Sequence, residues 1–368
     1  MHISTAELSG AMLSVGFIDG STAIYPLVFI LDNDPQYFHP QTKERTLDLL
    51  ALPAEPAAIS VSKTPDHIEV EWENDLAATI IKADWLYNHR PGKASFDPAE
   101  IAPEIWDKNY LFEIKNYDAT ALGEDTAHYA EWLKQTKRFG LTLVGNLADD
   151  ENAGVALGET IGFLRRSNFG VTFRVETMPD PNNLAYTSLA LPLHTDLPNQ
   201  ELPPGYQFLH CVKNGASGGE SVFADAYAIA EKLRQTNPDA FDLLTRVAVP
   251  YRFHDRKDDI RVHRPVISLN GKGEVFDVRY SAHLMAAFDM EASLMTNYYA
   301  AFRAFMALTR DPGFIISFKL EAGQMVVFDN RRVLHGRAAF NPATGHRLLK
   351  GFYVDRGEFD SRIRKLAD

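Results

Sequence analysis

The chain of 368 residues has one cysteine, Cys211, which rules out an intramolecular disulfide and a cysteine-rich zinc site. It has no run of about 18 apolar residues, so no membrane-spanning helix is expected. It lacks a basic excess. Its 37 Lys and Arg stand against 49 Asp and Glu, a net charge of −12. Nucleic acids and anionic membranes demand clustered basic residues, so neither is an expected partner. A small anionic substrate remains open, because one local Arg outweighs the global field. The opening MHISTAELSG has neither the basic region nor the apolar run of a secretory leader, and a cytoplasmic protein is expected. There is no internal repeat and no low-complexity tract.

What is present suits a folded enzyme-sized chain. Apolar residues make up 45% of it, enough for a large core, and the length suggests one large domain plus a smaller one. Residues 13–31 read as two apolar runs around an Asp19-Gly20 turn, which predicts a β-hairpin. Residues 68–72 and 77–81 predict two more strands. A small N-terminal β-domain over 1–90 follows, then a Pro-, Gly- and charge-rich linker over 91–107. Beyond it, helical spacing at 123–138, 158–166, 225–235 and 291–309 is interleaved with short strands, including 140–147, 314–320, 324–330 and 348–355. The pattern is mainly β with helices, and predicts a jelly roll with helical cover over 108–368.

The sharpest local feature is LPLHTDLP (191–198). On an extended strand His194 and Asp196, two residues apart, point to one face and converge on one cation. A surface turn with two polar residues gives the same spacing. About 140 residues later, VVFDNRRVLHGR (326–337) places His335 just past a predicted strand. Two His and one carboxylate form the facial set typical of non-haem Fe(II), with positions left open for cosubstrate and dioxygen. Arg347 lies on the next strand, within reach of the same interior. Its planar fork matches a carboxylate in two parallel hydrogen bonds, as the distal end of 2-oxoglutarate requires.

These motifs resemble the γ-butyrobetaine dioxygenase and trimethyllysine dioxygenase family, within the wider taurine-dioxygenase-like group. The stretches that carry the resemblance are 194–226, 328–340 and, in the N-terminal region, DGSTAIYPLVFILDN (19–33) with ADWL (83–86). It implies a double-stranded β-helix catalytic domain, Fe(II) on His194, Asp196 and His335, and 2-oxoglutarate on Arg347. Ser221 matches a hydroxyl position near the cosubstrate, though a loop hydroxyl capping its own backbone explains it equally well. Ascorbate is the expected reductant in vitro, and a homodimer is implied. Several members hold a structural zinc through cysteines after the first hairpin. Here NDPQYFHPQ (33–41) has none, and His39 alone cannot make a tetrahedral site, so no zinc is expected.

The family's substrates carry a trimethylammonium group, which donates no hydrogen bonds and binds best against aromatic faces. Phe169, Phe173 and Tyr186 match the family's cage; they also suit ordinary core positions. Asn183 and Tyr353 match residues near the substrate's anionic end. Where relatives carry paired asparagines, this chain has VFDVRYSAH (275–283), with Asp277, Arg279 and Tyr280. An added Arg suits a phosphonate better than a carboxylate, unless Asp277 pairs with it. The expected reaction is therefore hydroxylation of a small trimethylammonium zwitterion, 2-(trimethylammonio)ethylphosphonate, to the hydroxylated product with succinate and CO2. The alternative is γ-butyrobetaine hydroxylation to carnitine. A metal-dependent hydrolase would also use His and Asp ligands, but would not need Arg347. A binding protein that keeps the fold without chemistry would not need the complete set.

Overall fold

The computed structural model describes residues 1–179 and 184–367. It divides into two compact units, Met1–Asp97 and Pro98–Asp368. The division falls inside the stretch read as a linker. The physical reason lies in the second half of that stretch. Ala99 and Trp106 are buried in the larger unit, and the Trp106 indole donates to the Phe139 carbonyl at 2.7 Å.

The smaller unit is built from two three-stranded antiparallel sheets. One contains Ile3–Ser9, Met12–Phe17 and Thr22–Pro26; the other contains Ala58–Lys63, His67–Trp72 and Thr79–Lys82. Residues 27–31, expected to continue the hairpin, instead form the helix Leu27–Asp32. A short apolar run does not distinguish strand from helix, and Pro26 at the N-cap interrupts the ladder. Leu13, Val15, Phe17, Ile68, Val70, Trp72 and Ile81 alternate inward from the strands to form this unit's core. A buried chain runs from the Trp72 indole to Thr79 Oγ1 at 2.8 Å, and from that hydroxyl to the Asp34 carboxylate. Arg45 grips both oxygens of Asp32 at 2.9 Å, and His39 Nδ1 accepts from the Thr42 amide at 3.1 Å. Protein contacts thus hold the loop that follows the helix Leu27–Asp32.

The larger unit sandwiches two sheets. The order of the smaller is Leu191–His194, Val333–Arg337, Ser221–Asp225, Ile316–Phe318; that of the larger is Asn116–Asp118, Leu141–Gly145, Met325–Asp329, Tyr206–Asn214, Arg347–Val354, Thr172–Val175. The pairings are antiparallel except the first of the six-stranded sheet. Leu209, Cys211, Phe223, Val326, Phe328 and Leu349 fill the space between the sheets. The alternate residues Phe208, Met325, Val327 and Phe352 face outward, under Thr126–Phe139, Ala153–Ile161 and Arg356–Ala367. Leu193, Ala224 and Leu334 cover the other sheet's outer face, beneath Ala226–Thr236, Pro238–Arg246 and Ala292–Leu308. This is the jelly roll expected from the sequence, and its period-two alternation turns one face of each strand toward the shared interior. No helix among the described residues is long and apolar enough to cross a membrane.

Candidate metal and cosubstrate centre

His194 and His335 face each other across neighbouring antiparallel strands, as direct cross-strand partners. Asp196 follows just past the end of its strand. Its backbone N–H donates to Asn330 Oδ1 at 2.7 Å, and Asn330 Nδ2 returns a bond to the Asp196 carbonyl at 3.1 Å. Leu197 then adopts φ 53°, a left-handed turn that takes the chain away from the site. The three side chains converge as a result. Asp196 Oδ1 is 3.1 Å from His194 Nε2 and 3.5 Å from His335 Nε2, and one donor atom from each residue lies within 4.8 Å of the others.

The surrounding bonds prepare these atoms for a cation. His194 Nδ1 lies 2.9 Å from the Pro192 carbonyl. A proton there satisfies that carbonyl and leaves the Nε2 lone pair facing Asp196. Tyr353 donates its hydroxyl to Asp196 Oδ2 at 2.7 Å, which fixes the carboxylate plane and leaves Oδ1 toward the histidines. Burial alone would raise the Asp196 pKa, but His335 and His194 hold it well below the usual carboxylate range. Burial, with His194 next door, pushes the His335 pKa down, so both the carboxylate and that imidazole take their ligand forms. Two imidazole nitrogens and one carboxylate oxygen, with no further donor in the cluster among the described residues, fit Fe(II) with open coordination positions. Loss of the Tyr353 hydroxyl tests this support. Tyr353→Phe should lower iron affinity about 10–100-fold, the range for removing a partner of a metal ligand, as measured by competition with a chelator.

Arg347 opens the strand Arg347–Val354 and is buried. Its guanidinium carbon lies 5.6 Å from the centre of the Phe340 ring, and its Nε has no hydrogen-bond partner among the described residues. Burial lowers its pKa, but from so high a value that the charge stays. A buried, incompletely satisfied guanidinium calls for an anion. Ser221 is also buried, directly across from Arg337 and on the same strand face as the interior Phe223.

Beside the metal ligands lies a cavity of about 50 Å³. Phe169, Phe173, Tyr186 and Tyr353 line it, together with Phe253, Leu197 and His283. Phe173 and Tyr353 sit 5.2 Å apart, ring centre to ring centre, and Phe169 meets Phe253 edge-on at 5.5 Å. Gly351, cross-strand from Phe173, makes room for that ring: a Cβ there would stand 2.3 Å from Phe173 Cε2. Phe253, His283 and the supporting Asn330 are absent from the residues picked out of the sequence. Asn330 lies inside VVFDNRRVLHGR (326–337) and His283 ends VFDVRYSAH (275–283), so both stand in stretches that carry other site residues.

Two expected substrate residues lie elsewhere. The Arg279 guanidinium donates to the carbonyls of Pro198, Gln200 and Glu201 at 3.3, 2.8 and 2.7 Å, so its fork latches the loop after Asp196. It is not aimed at the cavity. Asp277 Oδ2 pairs at 3.0 Å with Arg331, and more distantly, at 3.9 Å, with Arg279. Tyr280 packs against Phe302 and Phe305 in the helical layer. Asn183 lies outside the described residues.

Comparison with known proteins agrees with this geometry. The family model "Taurine catabolism dioxygenase TauD, TfdA family" matches residues 105–353. A γ-butyrobetaine dioxygenase from Pseudomonas sp. (strain AK-1) is 39% identical over 98% of this chain and 95% of its own length. The human γ-butyrobetaine dioxygenase is 29% identical over 99% and 97%, and a trimethyllysine dioxygenase from Meyerozyma guilliermondii is 26% identical over 99% and 96%. Among solved structures, a putative α-ketoglutarate-dependent taurine dioxygenase from Burkholderia xenovorans shares the fold, with TM-score 0.51 and 17% identity over 69% of this chain and 92% of that one. The chain belongs to the TauD/TfdA dioxygenase family and is an Fe(II)- and 2-oxoglutarate-dependent dioxygenase.

Proposed function

We propose that the chain hydroxylates γ-butyrobetaine at a C–H bond, with 2-oxoglutarate converted to succinate and CO2. The observation that carries this reading is the aromatic cavity beside His194 and Asp196, together with 39% identity to a relative of that name. The phosphonate substrate loses its main support, because Arg279 is committed to three backbone carbonyls. Bound iron, with 2-oxoglutarate and dioxygen, supplies the oxidising power for C–H hydroxylation. The chain's own residues do the placing. Arg347 anchors the distal carboxylate of the cosubstrate by a two-point ion pair. Phe169, Phe173, Tyr186 and Phe253 surround the trimethylammonium head, and its position fixes which carbon faces the metal.

Phe173→Ala should raise the substrate KM about 30-fold, the equivalent of ~2 kcal/mol for a desolvated cation–π contact, with a smaller change in kcat. An unchanged KM would remove Phe173 from the site. The assignment itself is tested with purified protein, Fe(II), 2-oxoglutarate and ascorbate. Succinate and hydroxylated product are measured with γ-butyrobetaine, trimethyllysine and 2-(trimethylammonio)ethylphosphonate in turn. Product with γ-butyrobetaine above the other two supports the proposal; a higher kcat/KM for the phosphonate overturns it.

A further inference from the structure

Arg337 stands two residues beyond His335 on the same strand, so its side chain enters the same interior. It is 6% exposed. Its guanidinium donates to the carbonyls of Ala185 at 3.1 Å, Thr187 at 2.7 Å and Leu189 at 2.8 Å. These carbonyls belong to one short strap, which includes the single turn Leu184–Tyr186 and carries the Tyr186 ring into the cavity wall. On the other flank, Arg337 shares the Phe340 ring with Arg347. The ring centre is 4.8 Å from one guanidinium carbon and 5.6 Å from the other. Two buried like charges therefore flank one ring. One grips the strap that carries Tyr186, and the other is the arginine proposed to anchor 2-oxoglutarate.

We propose that Arg337 is a positioning residue, which suspends the Tyr186 strap from the metal-bearing strand and tightens its hold when 2-oxoglutarate neutralises Arg347. Like charges repel more strongly in a low-dielectric interior than in water. A carboxylate on Arg347 cancels that repulsion, so the three bonds that Arg337 already makes are no longer opposed by its neighbour's charge. Cosubstrate binding then firms the wall against which the substrate cation packs, and by linkage the substrate firms the cosubstrate site by the same factor. The link to substrate rests on the reading of Tyr186 as part of the cation site.

Hydrogen exchange tests it on the iron-loaded protein without oxygen and without substrate. In the wild type, amides of residues 184–190 should exchange at least about fivefold more slowly with 2-oxoglutarate present, the low end of ordinary coupling between sites. In Arg337→Gln they should exchange fast with or without it. No effect in the wild type, or equal slowing in the variant, overturns the proposal. Arg337→Lys covers the case in which the Gln variant does not fold. Its ammonium keeps the charge but does not span three carbonyls, so the slowing by 2-oxoglutarate should shrink. With γ-butyrobetaine, succinate formed per hydroxylated product should also rise in Arg337→Lys. A merely structural defect lowers the active fraction and leaves that ratio at the wild-type value, which would overturn the positioning role. The exchange measurement contains no substrate, so failure of γ-butyrobetaine as substrate leaves it decisive.

Discussion

His194→Ala should abolish stoichiometric iron binding and reduce turnover to background, whichever substrate is supplied. His194 supplies one of three converging donors, and the remaining His335 and Asp196 cannot by themselves complete the facial set. The loss should exceed ~100-fold in metal affinity, the upper range for losing a mere outer-shell partner such as the Tyr353 hydroxyl. Unfolding is a poor alternative explanation. His194 ends Leu191–His194, the edge strand of its sheet, which pairs on one side alone. The neighbouring core residue Leu193 stays in place beneath the helices. A circular dichroism spectrum matching the wild type, with iron content near zero, is the expected pair of results. Full iron content in the variant would mean that the three residues are not the metal site.

The metal centre was legible in the sequence because its rule is local. His-x-Asp reads as two positions on one strand face; the strand itself ends at His194, and the Asn330 bonds to the Asp196 backbone hold the carboxylate beside the histidines, while the second histidine carries its own motif. Arg347 is expected on the next strand, twelve residues after His335, and the structure places it there, buried at the start of Arg347–Val354. The substrate side was harder to read, because there the question is which donors are already taken. Arg279 looked like a free fork for an anion. Only the fold brings the carbonyls of 198–201 up to it, some 80 residues away in sequence. Tyr280, its neighbour, points to the opposite side and enters the helical core. Phe253 was invisible for a related reason. Its strand, Val249–His254, pairs with Asp259–Arg264 as a hairpin, and nothing local says that this hairpin reaches the ring of Phe169. Arg337 shows the converse. It lies in the metal motif, two residues after His335, while its own partners lie about 150 residues upstream.

Arg347→Met should raise the 2-oxoglutarate KM by two to three orders of magnitude and, in the same protein, increase the stability of the cosubstrate-free state. Both effects follow from one feature. The guanidinium is 5% exposed, and its Nε lacks a partner among the described residues. Holding such a charge in the interior is unfavourable until an anion arrives, so an apolar side chain of similar length relieves the folded chain of that cost. Once 2-oxoglutarate binds, the relation inverts. Breaking a buried charge pair by removing one partner costs about 3–5 kcal/mol, which is ~10²- to 10³-fold or more in affinity. Thermal unfolding should therefore show a higher Tm for Arg347→Met than for the wild type without cosubstrate. Adding 2-oxoglutarate should raise the Tm of the wild type alone, because a ligand stabilises only the state that binds it. Arg347→Lys separates charge from geometry. It keeps the positive end but loses the two-point match to a carboxylate, and its KM should fall between the two. A Met variant with wild-type KM would show that another group anchors the cosubstrate. A Met variant with lowered Tm in the absence of 2-oxoglutarate would show that the guanidinium stabilises the fold itself.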